Sequence, residues 1–212
     1  YSGETAQLLL NEMNQGNGIF TLEDLDNYSS IWREPIIGNY KNHKIISIGP
    51  PSSGGIALVQ MLNGAEKLNV NKYEHNSKDY IHVISEIESR VYADRATYLG
   101  DPDFFEVPSN TLISDKYLQN KFSTIDLNKK TPSSDIKEGQ ITMNETEETT
   151  HFSIVDKFGN AVSITTTING SYGSKVVVDG AGFLLNNEMD DFSIKPGFPN
   201  MFGLTGGEAN AI

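Results

Sequence analysis

Cysteine is absent from the 212 residues, which excludes disulfide cross-links and thiol chemistry and leaves the compartment open. A positive patch is missing too. Against 28 Asp and Glu stand 16 Lys and Arg, the formal net charge is −12, and no Lys/Arg cluster interrupts the acidic background. Nucleic-acid binding rests on neutralising phosphates, and anionic membrane surfaces attract basic segments, so both are disfavoured as partners. No apolar run approaches the ~20 residues that span a bilayer. Position 1 is Tyr rather than Met, and no signal-peptide pattern follows it. The ends, "YSGETAQLLL" and "GLTGGEANAI", read as interior sequence, so the chain is expected to be an internal fragment whose targeting segment lies elsewhere. Its length suits one large domain or part of a bigger one, with ample residues to build a core.

What is present changes character along the chain. The first part reads as helical, with a helix-start capping pattern at Thr21 and Asp24 in "TLEDL". "HKIISIGPP" is a short strand stopped by Pro50 and Pro51, and "GGIALVQMLNGAEKL" carries helix formers after a glycine entry. The strongest helix is "SKDYIHVISEIESRVYADRATYLG", where Tyr80, Ile84, Ile87, Val91 and Tyr98 share one stripe and Gly100 closes it. Residues 126–148 are polar and read as an exposed, mobile linker. Beyond it the period becomes two, and "HFSIV", "AVSITTTI" and "SKVVV" read as strands. Helices first and strands afterwards predict an α+β fold with an antiparallel sheet towards the C-terminal side.

The turn "DKFGN" fixes a register. Asp at the first position and Gly at the fourth suit a type I turn followed by a left-handed glycine. The loop is then Lys157, Phe158 and Gly159, so Val155 faces Ala161 and, counting outward, Thr149 faces Thr167. Val162, Ile164, Thr166 and Ile168 take one face; Thr165, Thr167 and Asn169 take the other. Thr149, Thr167 and Asn169 therefore form one polar cluster. Threonines on strands are usually good strand formers and no more. A threonine becomes a useful nucleophile when its own α-amine serves as base, because that amine has a pKa near ~7.7–8. Such an amine exists at Thr149 only if the Glu148–Thr149 bond is cut.

"TTHFSIVDKFGNAVSITTTIN" and "LLNNEMDDFSIKPGFPNMFGLTGGEANAI" resemble the start of the small subunit of γ-glutamyltransferases, the γ-glutamyltranspeptidases. "GPPSSGGIALVQMLN" and "YADRATYLGDPDFFEVP" resemble the end of that family's large subunit. The resemblance implies an N-terminal nucleophile hydrolase with an αββα sandwich, truncated here at both ends. Residues 1–148 would be the C-terminal part of the large-subunit region, and 149–212 the N-terminal part of the small-subunit region. It also implies self-cleavage at Glu148–Thr149, followed by transfer or hydrolysis of γ-glutamyl groups from glutathione and related amides. Thr149 would be the nucleophile and Thr167 the threonine that hydrogen-bonds it. Asn169, Glu188 and Asp191 match the positions that hold the substrate's α-amino end, whereas Asp190 keeps the default of solvated surface. Residues 196–207 match a lid loop, with Phe202 where the family often carries Tyr.

No cofactor is implied. The implied partners are a small-molecule γ-glutamyl substrate, an amino acid or peptide acceptor, and the remaining segments of the two subunits. The implied location is periplasmic or extracellular. The family's arginine for the substrate carboxylate would precede residue 1, and its paired serines and oxyanion glycines would follow Ile212, so the fragment alone is expected to be inactive. Alternatives are a related acylase, such as a cephalosporin acylase or a poly-γ-glutamate processing enzyme, and a non-catalytic glutamyl-binding homologue.

Two further motifs carry less. "GPPSSGG" has the glycine spacing of a phosphate loop, but Gly55 occupies the required Lys position, so a tight strand-to-helix turn is expected instead. His82 and Glu86 are one helical turn apart without an evident third metal ligand, and Glu86 with Arg90 reads as an ordinary i,i+4 pair.

Overall fold

A computed structural model describes residues 1–136, 150–195 and 197–203. In chain order the elements are α1 (Glu4–Gln15), α2 (Leu22–Asn27), β1 (Ile36–Tyr40), β2 (His43–Ser47), α3 (Gly54–Lys67), α4 (Lys78–Tyr98), α5 (Ser109–Leu112), α6 (Asp115–Phe122), β3 (Thr150–Val155) and β4 (Ala161–Thr166). Helix and strand are mixed, consistent with the expected α+β class. The chain divides into two compact units, Tyr1–Trp32 with Glu145–Asp191, and Arg33–Asn144 with Phe192–Ile212.

The larger unit is built on α3 and α4. β1 and β2 pair antiparallel from Ile36↔Ser47 to Tyr40↔His43. This hairpin breaks the expected order of helices first and strands afterwards; β1 carries Gly38, a poor strand former, and was not legible as a strand. Gly38 is where α3 comes close: a Cβ there would stand 2.7 Å from a Val59 methyl. Gly55 serves the same purpose at the start of α3, where a Cβ would collide with the Ile48 carbonyl. "GPPSSGG" is thus a strand-to-helix turn, as expected, and its Gly55 is a close-packing position. One apolar cluster contains Ile36, Ile56, Val59, Leu99 and Leu112. A second contains Val70, Val83, Ile87, Val91, Leu118 and Phe122.

Ser77 caps α4 through its side chain, which accepts from the Tyr80 amide. Of the expected stripe, Tyr80, Ile84, Ile87 and Val91 pack into the second cluster and Tyr98 into the first. The same helix also buries a polar row spaced by four, Glu86, Arg90 and Asp94. Glu86 and Arg90 are therefore more than a surface pair. The carboxylate accepts Arg90 Nη1 at 2.8 Å, the Thr131 amide at 2.8 Å and the Thr131 hydroxyl at 2.6 Å. Arg90 in turn donates to Thr124 Oγ1, the Thr124 carbonyl and Thr131 Oγ1. Burial pushes the Glu86 carboxyl up, but the Thr131 hydrogen bonds and Arg90 outweigh it and hold its pKa below the usual value. Asp94 is wholly buried and accepts from Gln60, Tyr117 and Lys121. His82 bonds the Asp126 carbonyl at 2.9 Å. Residues 126–135 run mostly exposed, as the linker reading expected, but Thr131 is fastened and half-buried, which a mobile linker would not be. Residues 137–149 lie outside the described residues.

In the smaller unit, Thr21 and Asp24 form the expected capping box at α2. β3 and β4 pair antiparallel from Thr150↔Thr166 to Val155↔Ala161. Gly159 takes φ 85°, and the Asp156 amide donates to Asn160 O at 3.0 Å, so turn and register are those expected from "DKFGN". Phe152, Ile154, Val162 and Ile164 share one face of this hairpin and remain exposed by 41% to 59%. "SKVVV" does not form the expected strand. Lys175 turns into a left-handed conformation at φ 65°, which breaks the extended run and leaves a single bridge, Val177↔Leu184.

Replacing Glu86 with Ala would leave Arg90 buried without its carboxylate, a change that costs about 3 kcal/mol or more. The expected outcome is a lowered urea midpoint. Because the folded-state pKa of Glu86 is depressed, its contribution is present above the ordinary carboxylate range and is lost as pH falls through the lowered value. The wild-type and Glu86→Ala midpoints should therefore converge in acid.

Candidate active site

Strand β4 stops at Thr166, two residues earlier than the alternation "AVSITTTI" suggested. The reason is local. Asn169 adopts a left-handed backbone, φ 69°, and its amide donates to Thr167 Oγ1 at 3.0 Å. This is the short hydroxyl-to-amide turn that Ser and Thr make two residues ahead, and Asn tolerates the left-handed position well. Thr167 and Asn169 are thus brought together by a turn rather than by sharing a strand face.

The chain returns to this turn at Asn187. Asn187 donates its amide to Ile168 O at 3.3 Å, and its side-chain oxygen accepts the Gly170 amide at 3.0 Å. Its carbonyl accepts Asn169 Nδ2 at 3.1 Å and the Asp190 amide at 3.0 Å. A 3-10 turn, Glu188–Asp191, begins at the next residue. The Glu188 amide donates to Asn186 Oδ1 at 2.9 Å. Gly173 allows the loop between these contacts to close: at φ 53°, a Cβ there would collide with the Leu185 carbonyl.

Asn169 and Glu188 therefore flank one point of contact, with Asp191 at the far end of the same 3-10 turn. Glu188 is half-buried, and its Oε1 lies buried without a hydrogen-bond partner among the described residues. Burial first, and the Asp191 charge second, push its pKa above the ordinary value. A carboxylate oxygen withdrawn from water beside a second carboxylate is suited to a cationic group that can donate several hydrogen bonds, such as an ammonium. Thr149 and Glu148 lie outside the described residues. In the segment expected as a lid, the Phe202 amide donates to Asn200 Oδ1 at 3.0 Å.

Two participants were not picked out from the sequence. His151 lies on the hairpin face that carries Thr165, and its Nδ1 meets Thr165 Oγ1 at 2.8 Å. Its Nε2 lies 3.2 Å from the hydroxyls of Ser153 and Ser163, making a polar ladder across the strands. The signal was available, since the register already placed residue 151 opposite 165. Asn187 left no such signal, because its partners are some eighteen residues away and reached through a turn.

A family profile described as Gamma-glutamyltranspeptidase matches residues 1–212. The glutathione hydrolase proenzyme of Escherichia coli is 46% identical over all of this chain and 37% of its own length. The chain thus spans little more than a third of the curated relatives it matches. Among solved structures, γ-glutamyltranspeptidase of Helicobacter pylori superposes with a TM-score of 0.63 at 40% identity, covering 70% of this chain and 42% of that one. Cephalosporin acylase of Bacillus halodurans superposes with a TM-score of 0.71 at 26% identity, covering 100% of this chain and 36% of that one.

The Glu188 carboxyl carbon, followed by ¹³C NMR, is expected to titrate above the ~4.3 of an unperturbed glutamate. Asp191→Asn should bring the midpoint down, because it removes the repelling charge and leaves the burial. Since ionisation of Glu188 costs the folded state, its contribution is greatest below that range and is lost as pH rises through the raised value.

Proposed function

The chain belongs to the gamma-glutamyltranspeptidase family, and from that premise we propose that it is the stretch of a γ-glutamyl-transferring and glutathione-hydrolysing proenzyme that spans the processing site. Residues 1–148 close the large-subunit region and 149–212 open the small-subunit region, within an αββα sandwich of the N-terminal nucleophile hydrolase type. The superpositions on a γ-glutamyltranspeptidase and on a cephalosporin acylase support that architecture.

Processing begins when the Thr149 hydroxyl attacks the Glu148 carbonyl carbon. The Glu148–Thr149 C–N bond breaks, an ester to Thr149 Oγ1 forms, and the former amide nitrogen becomes an α-amine. Water then hydrolyses the ester, releasing the Glu148 carboxylate. In turnover the same hydroxyl attacks the γ-carbonyl of the donor. The α-amine takes the hydroxyl proton and returns it to the departing amine, an economical base because its pKa lies near working pH. Water or an acceptor amine resolves the glutamyl ester.

The pairing of Thr150 with Thr166, the residues next to Thr149 and Thr167 in the chain, supports the expected register as far as it is described. The Asn169 amide fixes the position of Thr167 Oγ1. Asn169, Glu188 and Asp191 receive the donor's α-ammonium group, and the unpartnered oxygen of Glu188 is the observation that carries this assignment. The carboxylate-binding arginine, paired serines and oxyanion donors lie in the rest of the protein, so this stretch is inactive alone. The superposition on a cephalosporin acylase favours a second reading, in which a related acylase takes a bulkier acyl group. Competition between glutathione and such amides separates the two.

Intact-mass measurement on the full-length wild-type protein is expected to give two chains divided between Glu148 and Thr149, and Thr149→Ala to give one; a wild-type protein that persists as a single chain refutes the proposal. Thr167→Ala should lower kcat by about tenfold or more and raise KM by a smaller factor, because the same hydroxyl accepts the Asn169 amide that shapes the binding turn. A mainly raised KM would contradict that role.

A further inference from the structure

We propose that Asn187 is a positioning residue that sets Asn169 and Glu188 at a fixed separation, so that the two act as one receptor for the donor's ammonium group. The inference rests on the γ-glutamyl reading of the site and adds to it a residue that touches no reacting atom.

The argument begins with the amide of Asn169. Its Nδ2 is committed to the Asn187 carbonyl at 3.1 Å. That bond decides which way the amide faces, because a donor nitrogen held at one end leaves the acceptor oxygen at the other. An ammonium group needs the oxygen. Asn169 can serve as an acceptor only while the Asn187 carbonyl stays in place.

The same carbonyl also accepts the Asp190 amide at 3.0 Å, which starts the 3-10 turn carrying Glu188 and Asp191. One oxygen thus joins the end of β4 to the acidic turn. Its position is fixed from two further directions: the Asn187 amide bonds Ile168 O at 3.3 Å, and the Asn187 side-chain oxygen takes the Gly170 amide at 3.0 Å. Those bonds bracket Asn169 in sequence, so residues 168 to 170 are held against residue 187 as a block.

The chemistry specifies the side chain. Position 187 needs an acceptor on a short arm that reaches the Gly170 amide. Asp supplies the same oxygen at the same distance, and its negative charge is tolerable where a cation is to bind. Ala removes the acceptor and leaves the Gly170 amide without it. Because Asn169 and Glu188 hold the amino end of the donor and not the reacting carbonyl, the loss falls on binding common to ground state and transition state.

The test uses the full-length, processed protein with a γ-glutamyl amide as donor. Asn187→Ala is expected to raise KM about five- to tenfold with kcat within about twofold, the scale of one lost hydrogen bond. Asn187→Asp should return KM close to wild type. A fall in kcat at unchanged KM, or failure of Asp to restore what Ala loses, overturns the proposal. Amide exchange gives a second readout that does not depend on turnover. The Gly170 backbone amide and the Asn169 side-chain amide should exchange slowly in the wild type and in Asn187→Asp, and faster in Asn187→Ala. A wild-type protein inert towards γ-glutamyl amides would sink the functional reading, while unchanged exchange in Asn187→Ala would sink the positioning role.

Discussion

The left-handed backbone at Asn169 is the constraint on which the rest of the site depends. A β-strand carries alternate side chains to opposite faces and cannot place consecutive hydroxyl and amide groups around a small cation. β4 ends at Thr166, and the left-handed residue three positions later turns the chain out of the strand. The turn is stabilised by the hydroxyl of Thr167, which accepts the Asn169 amide. A conformation uncommon for residues other than glycine is retained here because Asn187 bonds both flanking residues.

The carboxylates of the chain show how partners, more than burial, decide what a charged group does. Glu86 and Asp94 are buried, and each is met by a cation and by neutral donors from elsewhere in the chain. Such groups fix the arrangement of helices at the cost of desolvation, and both oxygens of each are already engaged. Glu188 is less buried, yet one of its oxygens has no hydrogen-bond partner among the described residues, and the Asp191 charge acts on it repulsively. The fold of the smaller unit holds that unfavourable arrangement in place.

Much of the hairpin was legible in the sequence because its rules are local. Asp156 and Gly159 fix the turn, and the turn fixes every pair from Val155↔Ala161 outward. The α4 helix was legible for the same reason, with Ser77 at one end and an apolar stripe along it. The polar row on that helix was not. Glu86, Arg90 and Asp94 have the spacing of a solvated face, and only the approach of Thr131, Thr124, Gln60 and Lys121 shows that they are interior. Residues so distant in sequence leave no periodic trace. The valines of "SKVVV" misled in the opposite direction, since strand propensity was overridden by the backbone turn at Lys175. At the site, register counting grouped Thr167 with Asn169 and family likeness gave Glu188 and Asp191, whereas His151 was missed although the register held its signal, and Asn187 left no signal.

The bare apolar face of the β3–β4 hairpin has a practical consequence. Phe152, Ile154, Val162 and Ile164 stand on two adjacent strands whose outer edges pair with no other strand among the described residues. A flat hydrophobic ribbon with open edges is a template for self-association. The hairpin is therefore the part of the molecule most prone to β-rich self-association wherever nothing covers that face.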